Sequence, residues 1–299
     1  MRVSERMRYD TAISRVEKSK DRNLKSLDVL SSQKRINKLR DDAVGASQAI
    51  QVKDAIAELE SFEKNIDFSN GFLQTTESAL SQMSDRLIRA QELAIAMSND
   101  SYGPEARQAT SRELNEITQE VVRLGNASFG GRYVFSGFRS STPPISDDGS
   151  YMGDDGVIYL QVENGVFQKI NLPGRQVFQV DEDEQSQGHG NMLDMLQVLK
   201  EGMEQNDKHS MYTGIEEMKF HLNRLTSLQA SVGAVSNALE SAQRRVEFDK
   251  EAKTSRLSDL EDADVYEATS EFKRTESVLQ STLLAANKLL QPSLLNFLQ

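Results

Sequence analysis

The feature that most constrains this chain is an unbroken heptad running from Val52 to Met97. Its seam reads Val52, Ala55, Leu59, Phe62, Ile66, Ser69, Leu73, Thr76, Leu80, Met83, Leu87, Ala90, Ala94 and Met97, in alternating steps of three and four. That spacing holds one stripe on one face of a helix and favours left-handed packing against a partner helix. At 1.5 Å per residue the helix is about 70 Å long, too long to hide inside a globular domain of this chain's size. Leu59, Phe62, Ile66, Leu73, Leu80 and Leu87 are its expected core positions.

The flanking sequence extends the pattern. Ser98 to Pro104 reads as a turn, with Pro104 suited to the first position of a second helix. Leu114, Ile117, Val121 and Leu124 continue the three-four spacing, so that helix is expected to fold back antiparallel on the first. Near the other end, Val265, Ala268, Phe272, Thr275, Leu279, Thr282, Ala286 and Leu289 form another seam, widened by Leu283 and Leu290. Between these helical arms the composition changes. Asp147-Asp148-Gly149 and Asp154-Asp155-Gly156 mark turns, and Val157 to Val162 and Val166 to Ile170 flank Asn164-Gly165 as a β-hairpin. Asp181 to Glu184 reads as an acidic loop.

The expected fold is therefore mainly α: a long antiparallel helical bundle formed by both terminal segments, with a small β-rich insertion. Its domains are a terminal helical part (1–45 and 260–299), a helical rod (46–130 and 210–259) and an insertion with the acidic loop and a short helix (131–209). Composition agrees with an elongated chain. Only 37% of the residues are hydrophobic and 6% aromatic, which is little for one large private core. The net charge of -11 speaks against a nucleic-acid partner. No apolar run is long enough for membrane insertion. Charge is also uneven: residues 1–40 hold 12 basic and 5 acidic side chains, a net of +7, so the remainder carries -18. Residues 260–299 hold 6 acidic and 3 basic, a net of -3. Opposite signs favour these ends lying side by side, in one chain or between copies.

Chemical candidates are sparse. The three histidines, His189, His209 and His221, lack the i, i+4 spacing of a zinc helix and read as surface side chains. The aspartates beside glycine read as turn formers, since no complete calcium loop surrounds them. Asn99-Asp100-Ser101 and Asn126-Ala127-Ser128 fit a glycosylation pattern too short to carry weight. With no cysteine, a disulfide framework and a zinc-thiolate site are both excluded. Neither catalysis nor a cofactor or metal is expected, and a hydrolase using Asp154 or Asp155 is the weakest reading.

Leu30-Ser31-Ser32-Gln33-Lys34-Arg35-Ile36-Asn37, followed by Asp41-Asp42-Ala43-Val44-Gly45, resembles the N-terminal signature of bacterial flagellins and their relatives, with Gln33 where that pattern has glycine. Leu260-Glu261-Asp262-Ala263-Asp264 and Leu290-Gln291-Pro292-Ser293-Leu294-Leu295 resemble the other end of the family. Within that superfamily, the opening Met1 to Met7 and Gly130-Gly131-Arg132-Tyr133-Val134-Phe135-Ser136-Gly137 are similar to the hook-filament junction proteins. The resemblance implies a homo-oligomeric ring in the extracellular flagellum, linking the first hook-associated protein to flagellin. It also implies an export chaperone and passage through the flagellar type III apparatus, without a cleaved signal. The alternatives are a minor flagellin and an adhesive surface module. Leu24, Leu27, Leu30, Ile36, Phe272, Leu279, Leu283, Ala286, Leu290, Leu294 and Phe297 are the expected assembly residues, because one copy offers too little surface to cover both ends of so long a rod.

Overall fold

The computed structural model describes residues 2–146 and 148–290. Eight helices and four short strands follow in the order α1 (Arg2–Ser32), α2 (Ala43–Met97), α3 (Pro104–Gly125), β1 (Ser128–Phe129), β2 (Arg132–Tyr133), β3 (Tyr159–Glu163), β4 (Val166–Lys169), α4 (Arg175–Phe178), α5 (Glu182–Ser186), α6 (Met192–Gln205), α7 (Lys208–Glu261) and α8 (Val265–Leu290). The fold is mainly α, as the periodicity predicts. The chain forms two compact units, one from residues 1–58 and 248–299 and one from residues 59–247, so the division falls within α2 and α7.

In the unit of residues 59–247 the heptad of α2 is the spine. Ile66, Leu80, Met83, Leu87, Ala90 and Ala94 have no exposed surface, Phe62 and Leu73 are buried, and Leu59 is partly buried against the same core. Polar seam residues are accommodated locally: buried Ser69 and Thr76 donate to the carbonyls of Asn65 and Phe72, one turn back. Pro104 opens α3, whose Leu114, Ile117 and Val121 are buried. Ion pairs of Arg89 with Glu113 at 2.9 Å and Arg86 with Glu120 at 2.7 Å bridge the antiparallel helices α2 and α3 at their surface. The turn between them closes on Arg107. This side chain is 4% exposed, and its guanidinium donates to the carbonyls of Met97 at 2.8 Å and Asn99 at 3.1 Å and to Asn206. The Met97 carbonyl is one that a helix C-terminus leaves unsatisfied, so a buried cation is well placed there.

The segment between α3 and α7 is less β-rich than expected. It holds two antiparallel hairpins, β1–β2 and β3–β4, and three helices. The Asn164-Gly165 hairpin forms as read, Glu163 pairing with Val166 and Tyr159 with Lys169. Gly71 leaves a notch in α2 for Phe129: a Cβ there would lie 2.4 Å from the ring. Phe129 meets Phe68 and Phe72 edge-on, with centroids 5.6 and 6.5 Å apart. Val134, Phe135, Ile145, Val162, Val177 and Phe178 join the α2, α3 and α7 seams in one continuous core.

Two readings of this segment are corrected. The acidic stretch expected to be a loop is helix α5, started by a capping box in which Asp181 accepts from the Glu184 amide and Glu184 accepts from the Asp181 amide. His221, expected at the surface, is fully buried. Its Nε2 lies 3.0 Å from the Gly190 carbonyl, and its Nδ1 is buried with no partner among the described residues. Burial pushes its pKa down to about 4. Glu217, His221 and Arg224 form one stripe of α7 at helical spacing, and that stripe binds residues 176–190. Glu217 pairs with His189 at 3.0 Å, and Arg224 donates to the Gln176 carbonyl and pairs with Glu184. His189 stacks on Phe220 with ring centroids 3.9 Å apart. The aspartates act as turn formers: Asp154 accepts from the amides of Phe138 and Gly156, and Asp155 pairs with Arg175. Asn126 holds the Ile145 backbone through both ends of its amide.

Candidate assembly surface

In the unit of residues 1–58 and 248–299, α1 and α8 run antiparallel. Val29 and Ala268 share a groove at one end, Ala12 and Ala286 at the other. Their common seam is unusual for a helix pair because small and hydroxyl side chains hold its most buried positions. On α1 it comprises Ala12, Val16, Ser19, Asn23, Ser26 and Leu30, spaced four, three, four, three, four; Ala12, Ser19 and Ser26 are buried and the others half-buried. On α8 it comprises Ala268, Phe272, Thr275, Leu279, Thr282 and Ala286, of which Ala268 and Thr275 are buried. The Ser26 and Thr275 hydroxyls lie 2.7 Å apart, and the Asn23 amide donates to Thr275 at 3.4 Å. The buried Ser19 hydroxyl has no partner among the described residues.

Large apolar side chains point the other way. Ile13, Leu24 and Leu27 on α1 are 42%, 46% and 42% exposed, and Val278, Leu283 and Leu284 on α8 are 49%, 44% and 65% exposed. A helix pair normally buries its leucines and displays its serines. Here Ser19, Ser26 and Thr275 are buried while these six are exposed, leaving apolar surface that the described residues do not cover.

The loops joining these helices to α2 and α7 close on Glu261. Its carboxylate, buried, accepts from Lys34 at 2.9 Å and from Lys53. Burial alone raises its pKa, but the two lysines outweigh burial and hold it below the ordinary carboxylate range. Backbone bonds from Arg35 to Glu261 at 2.6 Å and from Ala263 to Gln33 at 2.9 Å tie the two loops together. Gln33 sits at φ 56°, which explains why glycine suits this position in the resembling pattern. Asp41 accepts from the amides of Asn37 and Lys38, and Asp42 caps α2 by accepting from Gly45. Ile36 is 7% exposed and fills the space beside Gly45.

The expected assembly residues thus divide into groups. Leu24, Leu27 and Leu283 are exposed, and Leu30, Phe272, Leu279 and Ala286 line the α1–α8 seam half-buried. Ile36 is enclosed within the chain. Leu290 ends α8, while Leu294 and Phe297 lie outside the described residues. Ile13, Val278 and Leu284 belong to the same exposed apolar set without having been singled out. For Ile13 the signal is its spacing of eleven and fourteen residues from Leu24 and Leu27 on the same helix, once the small residues are taken as the seam; Val278 and Leu284 carry no such signal. No group of three or more metal-ligating side chains occurs among the described residues, and no described helix is long and apolar enough to cross a membrane.

Comparison with known proteins is in accord with this layout. The bacterial flagellin N-terminal helical region matches residues 3–140, and the bacterial flagellin C-terminal helical region matches residues 215–298. Flagellar hook-associated protein 3 of Escherichia coli (strain K12) is 26% identical over 303 residues, covering 95% of this chain and 96% of that protein. The crystal structure of Bacillus cereus FlgL superposes with a TM-score of 0.60 at 24% identity, covering 70% of this chain and 99% of that one. That of hook-associated protein 3 from Legionella pneumophila gives a TM-score of 0.61 at 17% identity over 70% of this chain and 98% of that one. With both helical regions present in order, one on each side of residues 141–214, this chain belongs to the bacterial flagellin family.

Proposed function

We propose that the chain is a structural component of the bacterial flagellum, acting as an adapter ring of identical copies at the junction between hook and filament. The observation that carries this reading is the α1–α8 pair, in which Ser19, Ser26 and Thr275 are buried while Ile13, Leu24, Leu27, Val278, Leu283 and Leu284 are exposed. Such a pair is incomplete alone, because apolar area returned to water forgoes about 25 cal/mol per Å². Neighbouring copies, and above and below them the first hook-associated protein and flagellin, are the partners that complete it. The full-length likeness to a hook-associated protein 3 supports the junction over the filament. The role is mechanical rather than catalytic: Asp154 and Asp155, the best candidates for acid-base work, are engaged in holding a turn and an arginine. Outside the cell the chain would arrive through the flagellar export apparatus, guarded until then by an export chaperone. The test is a deletion strain. Cells lacking the chain keep their hooks and shed flagellin monomers into the medium, and the plasmid-borne gene restores attached filaments. Normal attached filaments in the deletion strain would refute the reading.

A further inference from the structure

The chain holds two Asn-Gly pairs, Asn70-Gly71 and Asn164-Gly165, and the fold treats them oppositely. Asparagine is a thermolabile side chain, because its amide carbon is open to attack by the next backbone nitrogen. Glycine in the following position leaves that attack least hindered, having no Cβ to stand in the way. At the first pair the attack is blocked. Gly71 lies in the middle of α2, so its N–H is held in the helical ladder, and Asn70 is half-buried. At the second pair nothing holds it back. Asn164 and Gly165 are the two-residue tip between β3 and β4, and both are exposed. Among the described residues the Gly165 N–H donates to no acceptor and the Asn164 side chain makes no hydrogen bond. Gly165 sits at φ 73° with no atom within 4 Å of an added Cβ, so no neighbouring group crowds the tip.

We infer that Asn164 is a self-modifying site, which converts to aspartate and isoaspartate without an enzyme. The Gly165 nitrogen gives its proton to hydroxide and attacks Asn164 Cγ. A new C–N bond closes a cyclic imide, the bond from Cγ to Nδ2 breaks, and Nδ2 leaves as ammonia with a proton taken from water. Water then opens the imide. Addition at Cγ gives aspartate; addition at the main-chain carbonyl of residue 164 gives isoaspartate, in which the chain runs through Cβ and Cγ. No oxidant or cofactor takes part. Either product sets a second carboxylate beside Glu163, whose own carboxylate pairs with Arg245 of α7 at 2.8 Å. Isoaspartate also adds a methylene to the main chain within a turn whose length fixes the register of β3 against β4. That hairpin is seated on the core: Val162 is buried, and the Asn65 amide of α2 donates to the Gln161 carbonyl at 2.8 Å. The modification therefore loosens the hairpin progressively with the age of each copy.

The test uses the purified full-length chain, kept at neutral and at mildly alkaline pH beside a urea-unfolded sample. Mass spectrometry follows the peptide around each asparagine, and isoaspartyl methyltransferase labels the rearranged product. In the folded chain Asn164 should deamidate at least about tenfold faster than Asn70, because α2 must open locally before the Gly71 nitrogen is freed. The rate at Asn164 should rise with pH, and in urea the two rates should converge. Amide exchange over residues 159–169 should be at least about threefold faster in the isoaspartyl fraction than in fresh chain. Asn164→Gln should abolish both changes while retaining the circular dichroism of the parent. Equal rates at Asn70 and Asn164 in the folded chain overturn the inference, as does an intact Asn164 once the unfolded sample has converted. Unchanged exchange over residues 159–169 in the isoaspartyl fraction overturns the loosening of the hairpin.

Discussion

The Ser19 hydroxyl offers a stability test whose sign is set by the structure. Its residue is 7% exposed, it faces α8, and its oxygen has no hydrogen-bond partner among the described residues. Leaving a buried hydroxyl unsatisfied costs about 1–3 kcal/mol, and alanine improves on serine in a helix interior by roughly 0.5 kcal/mol. Ser19→Ala should therefore stabilise the α1–α8 pair by about 1.5–3.5 kcal/mol, a factor on the order of 10–300 in its opening equilibrium. Ser26→Ala, one heptad along, is the matched control. It removes the 2.7 Å contact with Thr275, while Thr275 still donates to the Phe272 carbonyl at 2.9 Å. About 1 kcal/mol of hydrogen bonding is lost and roughly half of that is regained in helix propensity, so this variant should be slightly less stable. Native-state amide exchange over residues 12–30 of the free chain reads both changes directly. Slower exchange in Ser19→Ala together with unchanged or faster exchange in Ser26→Ala is the expected pattern. Exchange accelerated by both substitutions would refute the placement of a small polar seam between these helices.

Further expectations follow from other sites. Because burial holds His221 neutral down to about pH 4 while an unfolded histidine titrates near 6.5, the unfolded state binds more protons between those values. Stability is therefore full above about pH 6.5 and falls by about 3 kcal/mol as pH drops to 4; urea melts across this range should show the loss, and His221→Gln should flatten it. Arg107→Ala strips donors from the Met97 and Asn99 carbonyls and leaves a cavity, which should cost about 2–4 kcal/mol in the same melts. Gln33→Ile, a β-branched residue forced to φ 56°, should lower stability by roughly 1–2 kcal/mol, whereas Gln33→Gly should not. Limited proteolysis of dilute free chain should cut within α1 and α8 first, and sheared flagella should be protected at the same bonds.

What could be read from residues alone depended on whether burial and hydrophobicity coincide. They coincide along α2, where Ile66, Leu80 and Leu87 recur at heptad spacing and are all fully buried. They also coincide at the Asn164-Gly165 turn, whose β-branched and aromatic flanks pair as read. On α1 they part. The contacting residues are Ala12, Ser19 and Ser26, so a search for apolar periodicity settles on Leu24 and Leu27, which face outward. That confusion still led to the right helix, because the outward leucines are the ones left for partners. At α5 the run Asp181 to Glu184 reads as an acidic loop, yet the same four residues contain the capping box that starts a helix. His221 was misplaced for a different reason. Its burial comes from the 176–190 segment laid over α7, and no local spacing announces such a cover.

The carboxylate of Glu261 reaches Lys34 and Lys53, partners 227 and 208 positions earlier in the chain. The Ser26–Thr275 contact spans 249 positions. By contrast, residues 59–247 are continuous and close on themselves through hairpins and adjacent helices. Loop closure over such distances is slow relative to local pairing. The continuous unit therefore completes itself early, and α1 waits unpaired until α8 has joined it. Folding order thus places the α1–α8 pair at the final step, and a helix pair that closes last is the one most readily left open to a neighbour.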